Sequence, residues 1–87
     1  MTRTLHQTAL GFLHEDRYQE ALAPLGRLVL QLPPTHPALP GCLVTLAFAY
    51  EQLGRTSEAR RAVRRALKLR PQLRVAHLLL ARVSTAA

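Results

Sequence analysis

Residues 43–71, LVTLAFAYEQLGRTSEARRAVRRALKLRP, carry two apolar stripes of helical period separated by one glycine. Leu43, Leu46, Ala47, Tyr50 and Leu53 recur at steps of three and four, which places them on one helix face. Gly54 then offers a stop, because glycine reaches left-handed backbone angles without a Cβ clash. Thr56 is a candidate N-cap, with Glu58 in the electropositive first turn of the next helix. Ala59, Ala62, Val63, Ala66 and Leu67 form the second stripe, and Pro71 closes it by disfavouring helix in the residue before it. Alanines where two helices must approach, with Leu43, Tyr50 and Leu67 filling the gaps, predict an antiparallel helical hairpin.

The flanking chain continues the pattern. Leu5, Thr8, Ala9 and Phe12 form an earlier stripe, with Thr2 or Thr4 as caps. Asp16 is a candidate cap for a second helix carrying Tyr18, Ala21, Leu22, Leu25, Leu28, Val29 and Leu32. Pro24 lies inside that stripe, so a kink or loosened turn is expected there. Pro33-Pro34-Thr35-His36-Pro37 reads as a loop, with Thr35 capping an early turn and regular helix beginning near Pro40. After Pro71 a fifth apolar segment holds Leu73, Val75, Ala76, Leu78, Leu79, Leu80, Ala81 and Val83, and Ser84–Ala87 should fray.

Superposing YQEALAPLGRLVLQLP on TSEARRAVRRALKLRP aligns Ala21 with Ala59, Leu25 with Val63, Leu28 with Ala66 and Pro33 with Pro71, an offset of 38 residues. Four residues, 36–39, are inserted before the second copy; about one helical turn, they would lengthen its first helix without rotating the apolar face. Leu43, Leu46, Ala47, Tyr50, Gly54, Ala59, Val63, Ala66 and Pro71 resemble the tetratricopeptide repeat signature, with Leu43 in place of the usual Trp. Leu5, Thr8, Ala9, Phe12, Asp16, Ala21, Leu25, Leu28 and Pro33 make a weaker copy, with Thr8 for the usual leucine and Asp16 for the turn glycine. The His36-Pro37-x-Leu39 lead-in resembles the longer repeats of kinesin light chains, and residues 74–87 resemble the helix that caps such arrays. The resemblance implies an all-α, tetratricopeptide-like α-solenoid of about five helices in a single domain, 1–87. Its parts are repeat 1 at 2–35, an inserted turn at 36–39, repeat 2 at 40–73 and a C-terminal helix at 72–84.

Composition narrows the function. The 87 residues hold 12 Lys and Arg against 5 Asp and Glu. The charge is lopsided, because nine of the basic residues follow Gly54, where Glu58 is the one acid. The single cysteine, Cys42, excludes an internal disulfide and every multi-cysteine metal motif. It is expected to be a small packing residue in a reducing compartment. His6 and His14 stand about 12 Å apart along a helix, too far to share a metal without further ligands. There is no nucleophile–base pair, phosphate loop or carboxylate pair, so neither enzyme activity nor a cofactor or metal is expected. The N-terminus is a poor secretory signal and no apolar run approaches the ~20 residues needed to span a bilayer. A soluble, cytoplasmic protein without membrane attachment is the expectation.

In such repeats the first helix of each pair lines a concave surface. The resemblance therefore makes His6, Leu10, Leu13 and His14 groove candidates, with Val44, Phe48, Glu51 and Gln52 from the third helix and Val75, Leu78, Leu79 and Arg82 from the fifth. Leu10, Val44, Phe48 and Leu78 lack partners within the hairpins: either they form an interface or the fifth helix folds over them. The Lys and Asn with which some family members clamp a terminal carboxylate are replaced by His6, Leu10, Val44 and Leu78. The groove thus suits an apolar helix or extended peptide, as in small repeat proteins that chaperone secretion-apparatus subunits. The expected role is a non-catalytic protein-binding module: adaptor, chaperone or assembly factor. Two repeats fall short of the ~3 usual for independent stability, and the last helix is apolar on most sides. Homo-oligomerisation through it or the groove is therefore a further expectation. Arg60, Arg61, Arg64, Arg65, Lys68 and Arg70 line the outer face of the fourth helix. They raise a nucleic-acid accessory role as an alternative, or simply a solvated face with Glu58 pairing Arg61. No aromatics interleave with them and no nucleic-acid-binding motif is present, so direct nucleic-acid binding is not expected.

Overall fold

A computed structural model describes the backbone of residues 5–85 and the side chains of residues 7–84. Five helices follow in order: α1 (Leu5–His14), α2 (Tyr18–Gln31), α3 (Leu39–Gln52), α4 (Thr56–Leu69) and α5 (Arg74–Thr85). The described residues contain no strand, and the all-α helical fold is the one the sequence implies. Helices α1 and α2 pair, α3 and α4 pair, and α2 lies against α3 to join the two hairpins. Helix α5 packs on α4 and also touches α3. The molecule measures 41 × 29 × 17 Å, and its short axis matches two helix layers about 8–10 Å apart.

The two hairpin turns are the same structure built twice. Asp16 and Gly54 both take left-handed backbone, at φ 56° and 76°. The amide of Arg17 donates to the Phe12 carbonyl at 2.8 Å, and that of Arg55 to the Tyr50 carbonyl at 2.9 Å. Inside each turn, Asp16 N–H donates to Leu13 O at 3.1 Å and Gly54 N–H to Glu51 O at 3.0 Å. This is the double bond pattern of the Schellman stop, which satisfies carbonyls that the helix end would leave orphaned. Side chains repeat too. Arg17 ion-pairs Glu20 and sits over the Phe12 ring at 5.0 Å, while Arg55 ion-pairs Glu58 and sits over the Tyr50 ring at 5.1 Å.

These turns correct several local expectations. Asp16 and Thr56 do not cap helices: the N-cap positions are Arg17 and Arg55, neither with a side-chain capping bond. Once residue 16 or 54 has turned left-handed, the next residue is already at the helix boundary, and its carbonyl accepts from Ala21 or Ala59. Glu58 holds Arg55 through both carboxylate oxygens, at 2.7 and 2.8 Å, rather than pairing Arg61. Helix α2 runs unbroken through a buried Pro24. The missing N–H forfeits one ladder bond, and burial against the core holds the backbone in place.

The inserted residues also behave differently. Of residues 36–39, only Leu39 enters α3. His36 N–H bonds Pro33 O and Leu39 N–H bonds His36 O, so two tight turns precede the helix. His36 Nδ1 accepts from the Ala38 amide at 3.0 Å, the role expected of Thr35. Pro40 sits in the first turn of α3, where its lack of an N–H costs nothing. Residues 84–85 continue α5; the expected caps Thr2 and Thr4, and the tail residues 86–87, lie outside the described residues.

The core is aliphatic and close-packed. Ala9, Ala21, Ala47, Ala59 and Ala66 are fully buried, as are Leu25 and Val63. The pairs Ala9/Ala47, Ala21/Ala59 and Leu25/Val63 are the ones the 38-residue offset superposes. Methyl-sized side chains at these positions let helix backbones approach, and Leu43 and Leu46 fill the remaining space. Leu39, placed by the sequence in the inserted turn, is also fully buried.

A candidate peptide-binding cleft and an open basic face

Helix α5 buries Ala76, Leu79 and Val83. Residues 75, 78 and 82 lie on the neighbouring stripe, at the edge of that contact. There they meet Val44, Thr45 and Phe48 of α3 and enclose a cleft of about 320 Å³. Val44 and Leu79 form its buried part, whereas Leu78 and Val75 stay 61% and 51% exposed on its rim. The Phe48 ring is fixed from behind by an edge-on contact with Tyr18, centroids 5.9 Å apart. Tyr18 donates its hydroxyl proton to Asp16 Oδ1 at 3.0 Å, and that bond pushes the phenol pKa above its usual value. Arg82 bonds Glu51 at 2.8 Å, linking α5 to the C-terminal end of α3 beside the cleft.

Six of the residues named from sequence therefore converge: Val44, Phe48, Val75, Leu78, Leu79 and Arg82. Glu51 reaches the site through Arg82, and exposed Gln52 donates to Glu51 at 3.4 Å. Leu10, exposed, and Leu13, packed at the core edge, do not line the cleft. The reason is topological: α1 lies on α2, and α2 is the helix that meets α3. His14 is exposed, and the side chain of His6 lies outside the described ones.

Two features escaped the sequence reading. Thr45 lines the cleft with its hydroxyl turned back to the Gly41 carbonyl at 3.0 Å, so the cleft does not have to satisfy that donor. Thr45 also borders a second hollow of about 430 Å³ between α2 and α3, walled by Leu25, Leu28, Leu32 and Cys42. Apolar surface thus continues across α3 toward α2, not toward α1. The stripe Leu25–Leu28–Leu32 was visible, but periodicity alone cannot tell a packed stripe from one that borders a hollow.

Cys42 is buried, and loss of solvent raises its thiol pKa, the opposite of an activated nucleophile. His77 donates from Nε2 to the Pro71 carbonyl at 2.6 Å. Among the described residues no group of three or more His, Cys, Asp or Glu could hold a metal ion. No helix among them is long and apolar enough to cross a membrane.

The basic residues of α4, with Arg70 at its C-cap, divide into two sets. Arg60 reaches across to the Val83 carbonyl at 3.0 Å and Arg70 to the Pro37 carbonyl at 3.2 Å, so both bind the fold together. Arg61, Arg64, Arg65 and Lys68 are exposed and border an open furrow of about 550 Å³ along the helix.

Comparison with known proteins agrees with this architecture. The family model described as tetratricopeptide repeat matches residues 40–83, from the first turn of α3 to the buried Val83 of α5. No curated protein and no solved structure matches the chain.

Proposed function

The chain belongs to the tetratricopeptide repeat family, and from that premise we propose that it is a non-catalytic adaptor, chaperone or assembly factor. Its α3–α5 cleft takes an apolar helix or extended peptide. Repeats of this family generally mediate protein–protein interaction. The observation that carries the reading is the pair Leu78 and Val75, left open on the rim of an otherwise apolar cleft. A core-forming leucine or valine gains about 1.5–3 kcal/mol on full burial, so this rim favours a partner that covers it. Two or three large apolar side chains at helical spacing would fit along α5 in the helix-in-groove manner.

Selection from a displayed peptide library tests this. Enriched peptides should carry such apolar anchors, lose binding to Leu78→Glu and keep it with Arg64→Glu. Enrichment insensitive to Leu78→Glu would reject the cleft. The same rim, with Leu30 at 85% exposure on α2, supports a second reading, self-association. Sedimentation separates the two: a concentration-dependent dimer abolished by Leu78→Glu in the absence of peptide selects self-association.

A further inference from the structure

The chain's charges do not close among themselves. All five acidic side chains are engaged: Glu15 and Glu20 by Arg17, Asp16 by Tyr18, Glu51 by Arg82 and Glu58 by Arg55. Among the described residues, no carboxylate lies within ion-pair distance of Arg61, Arg64, Arg65 or Lys68. These four cations rise along one ridge only about 10 Å long, at the three- and four-residue spacings where like charges repel. A second copy of the chain offers carboxylates that already hold an arginine or a tyrosine, and its net charge of +7 opposes the approach of a like copy. An acidic partner therefore complements this ridge better than a second copy does.

The ridge also has an apolar neighbour. Arg61 and Arg65 border a notch of about 220 Å³ lined by Val29, Leu43, Leu46 and Ala62, and by Glu58, whose charge Arg55 already neutralises. Arginine stems are apolar and suit the wall of such a notch, while the guanidinium groups carry the charge. Tyr50 lines the notch as well, with Arg55 over one face of its ring, and it is the one aromatic side chain there. A phosphate backbone would find the charges and leave the notch unused. A peptide with carboxylates around one large apolar side chain would use both.

We propose that the outer face of α4 is a docking surface, separate from the α3–α5 cleft, for an acidic segment of a partner protein anchored by one large apolar residue. The carboxylates lie along Arg61, Arg64, Arg65 and Lys68, and the anchor enters the notch beside Leu43 and Leu46. Charge complementarity of this sort governs encounter rate and partner choice, while the anchor sets residence.

The probe is a fluorescein-labelled helical peptide with Glu at i, i+4 and i+7 around a single Leu, read by anisotropy against the full chain. Replacing its Glu with Gln should weaken binding about tenfold or more, and replacing Leu with Ser several-fold. Arg61→Glu with Arg65→Glu, or the exposed pair Arg64→Glu with Lys68→Glu should the first misfold by circular dichroism, should weaken the parent peptide about tenfold. Leu78→Glu should leave it unchanged, which keeps the result independent of the cleft. The proposal is overturned if charge reversal has no effect or if the Leu→Ser peptide binds equally well. It is overturned equally if a single-stranded oligodeoxynucleotide of matched length binds more tightly with a steep salt slope, which would make the ridge a nucleic-acid surface.

Discussion

Asp16 and Gly54 stand at the same point of two turns 38 residues apart and hold the same left-handed backbone, one with a side chain and one without. Three backbone bonds recur in both, from Phe12 to Arg17 and from Tyr50 to Arg55, and the Leu53 amide adds a second bond to Ala49 O. The turn geometry is therefore dictated by the hairpin, and the residue at its apex bears whatever conformational cost follows. Aspartate tolerates this region better than most side chains, and here its carboxylate is used by the Tyr18 hydroxyl.

Substitutions at the two apices should behave in opposite ways. Gly54→Ala meets no neighbouring atom, so its cost is purely that of left-handed backbone, about 1–2 kcal/mol. In the Tyr18→Phe background, where no hydrogen bond is left to lose, Asp16→Gly relieves the same strain and should not lower stability. Urea unfolding of the two variants measures both; a neutral Gly54→Ala would show that the turn does not need its left-handed residue.

Leu39 provides a sharper test of the core. Fully buried at the start of α3, it should cost about 2–5 kcal/mol as Leu39→Ala. Leu30→Ala, at a position almost wholly exposed, should change stability by less than about 0.5 kcal/mol. Thermal melts of the pair read the contrast directly.

What the sequence revealed, and what it concealed, divides along physical lines. Periodicity placed the five helices, and the offset joining Ala21 to Ala59 and Leu25 to Val63 marked positions that prove fully buried, because burial of a helix face is written in side-chain type. The cleft was legible for the same reason: Val75, Leu78 and Arg82 lie one step around α5 from Ala76, Leu79 and Val83. Choices among near-equivalent polar partners were not legible. Asp16 as cap or as turn apex, Glu58 with Arg61 or with Arg55, and Thr35 or His36 at the inserted loop differ by small energies that three-dimensional context decides. Leu39 was hidden because residues 36–38 fold into turns and deliver it to the helix start.

Cys42 should be protected. Its buried thiol has a raised pKa, so at pH 8 its reaction with a disulfide reagent should be at least about tenfold slower in the folded chain than in urea. Equal rates would mean that α3 opens readily at its N-terminal end.

The Tyr18–Asp16 bond carries a pH dependence of definite sign. The phenol pKa is raised in the fold, so the bond's contribution is complete below the unfolded value near 10. It disappears as pH rises through the folded value. Melting temperatures of the parent and of Tyr18→Phe should therefore differ at pH 8 and converge at strongly alkaline pH. A constant difference would assign the effect to the ring's contact with Phe48 instead.

The packing order has a kinetic consequence. Each helix rests mainly on its neighbours in the chain, which makes most native contacts local and favours rapid folding. Helix α5 is held by one sequence neighbour, a limited contact with α3, and the bonds from Arg60 and Glu51. As an outer helix it can leave without the hairpins coming apart, and that departure is the first step in dismantling the cleft, because it removes one wall. Whatever occupies the cleft therefore acts as a brake on that first step, and its residence time sets how long the chain's C-terminal helix stays closed.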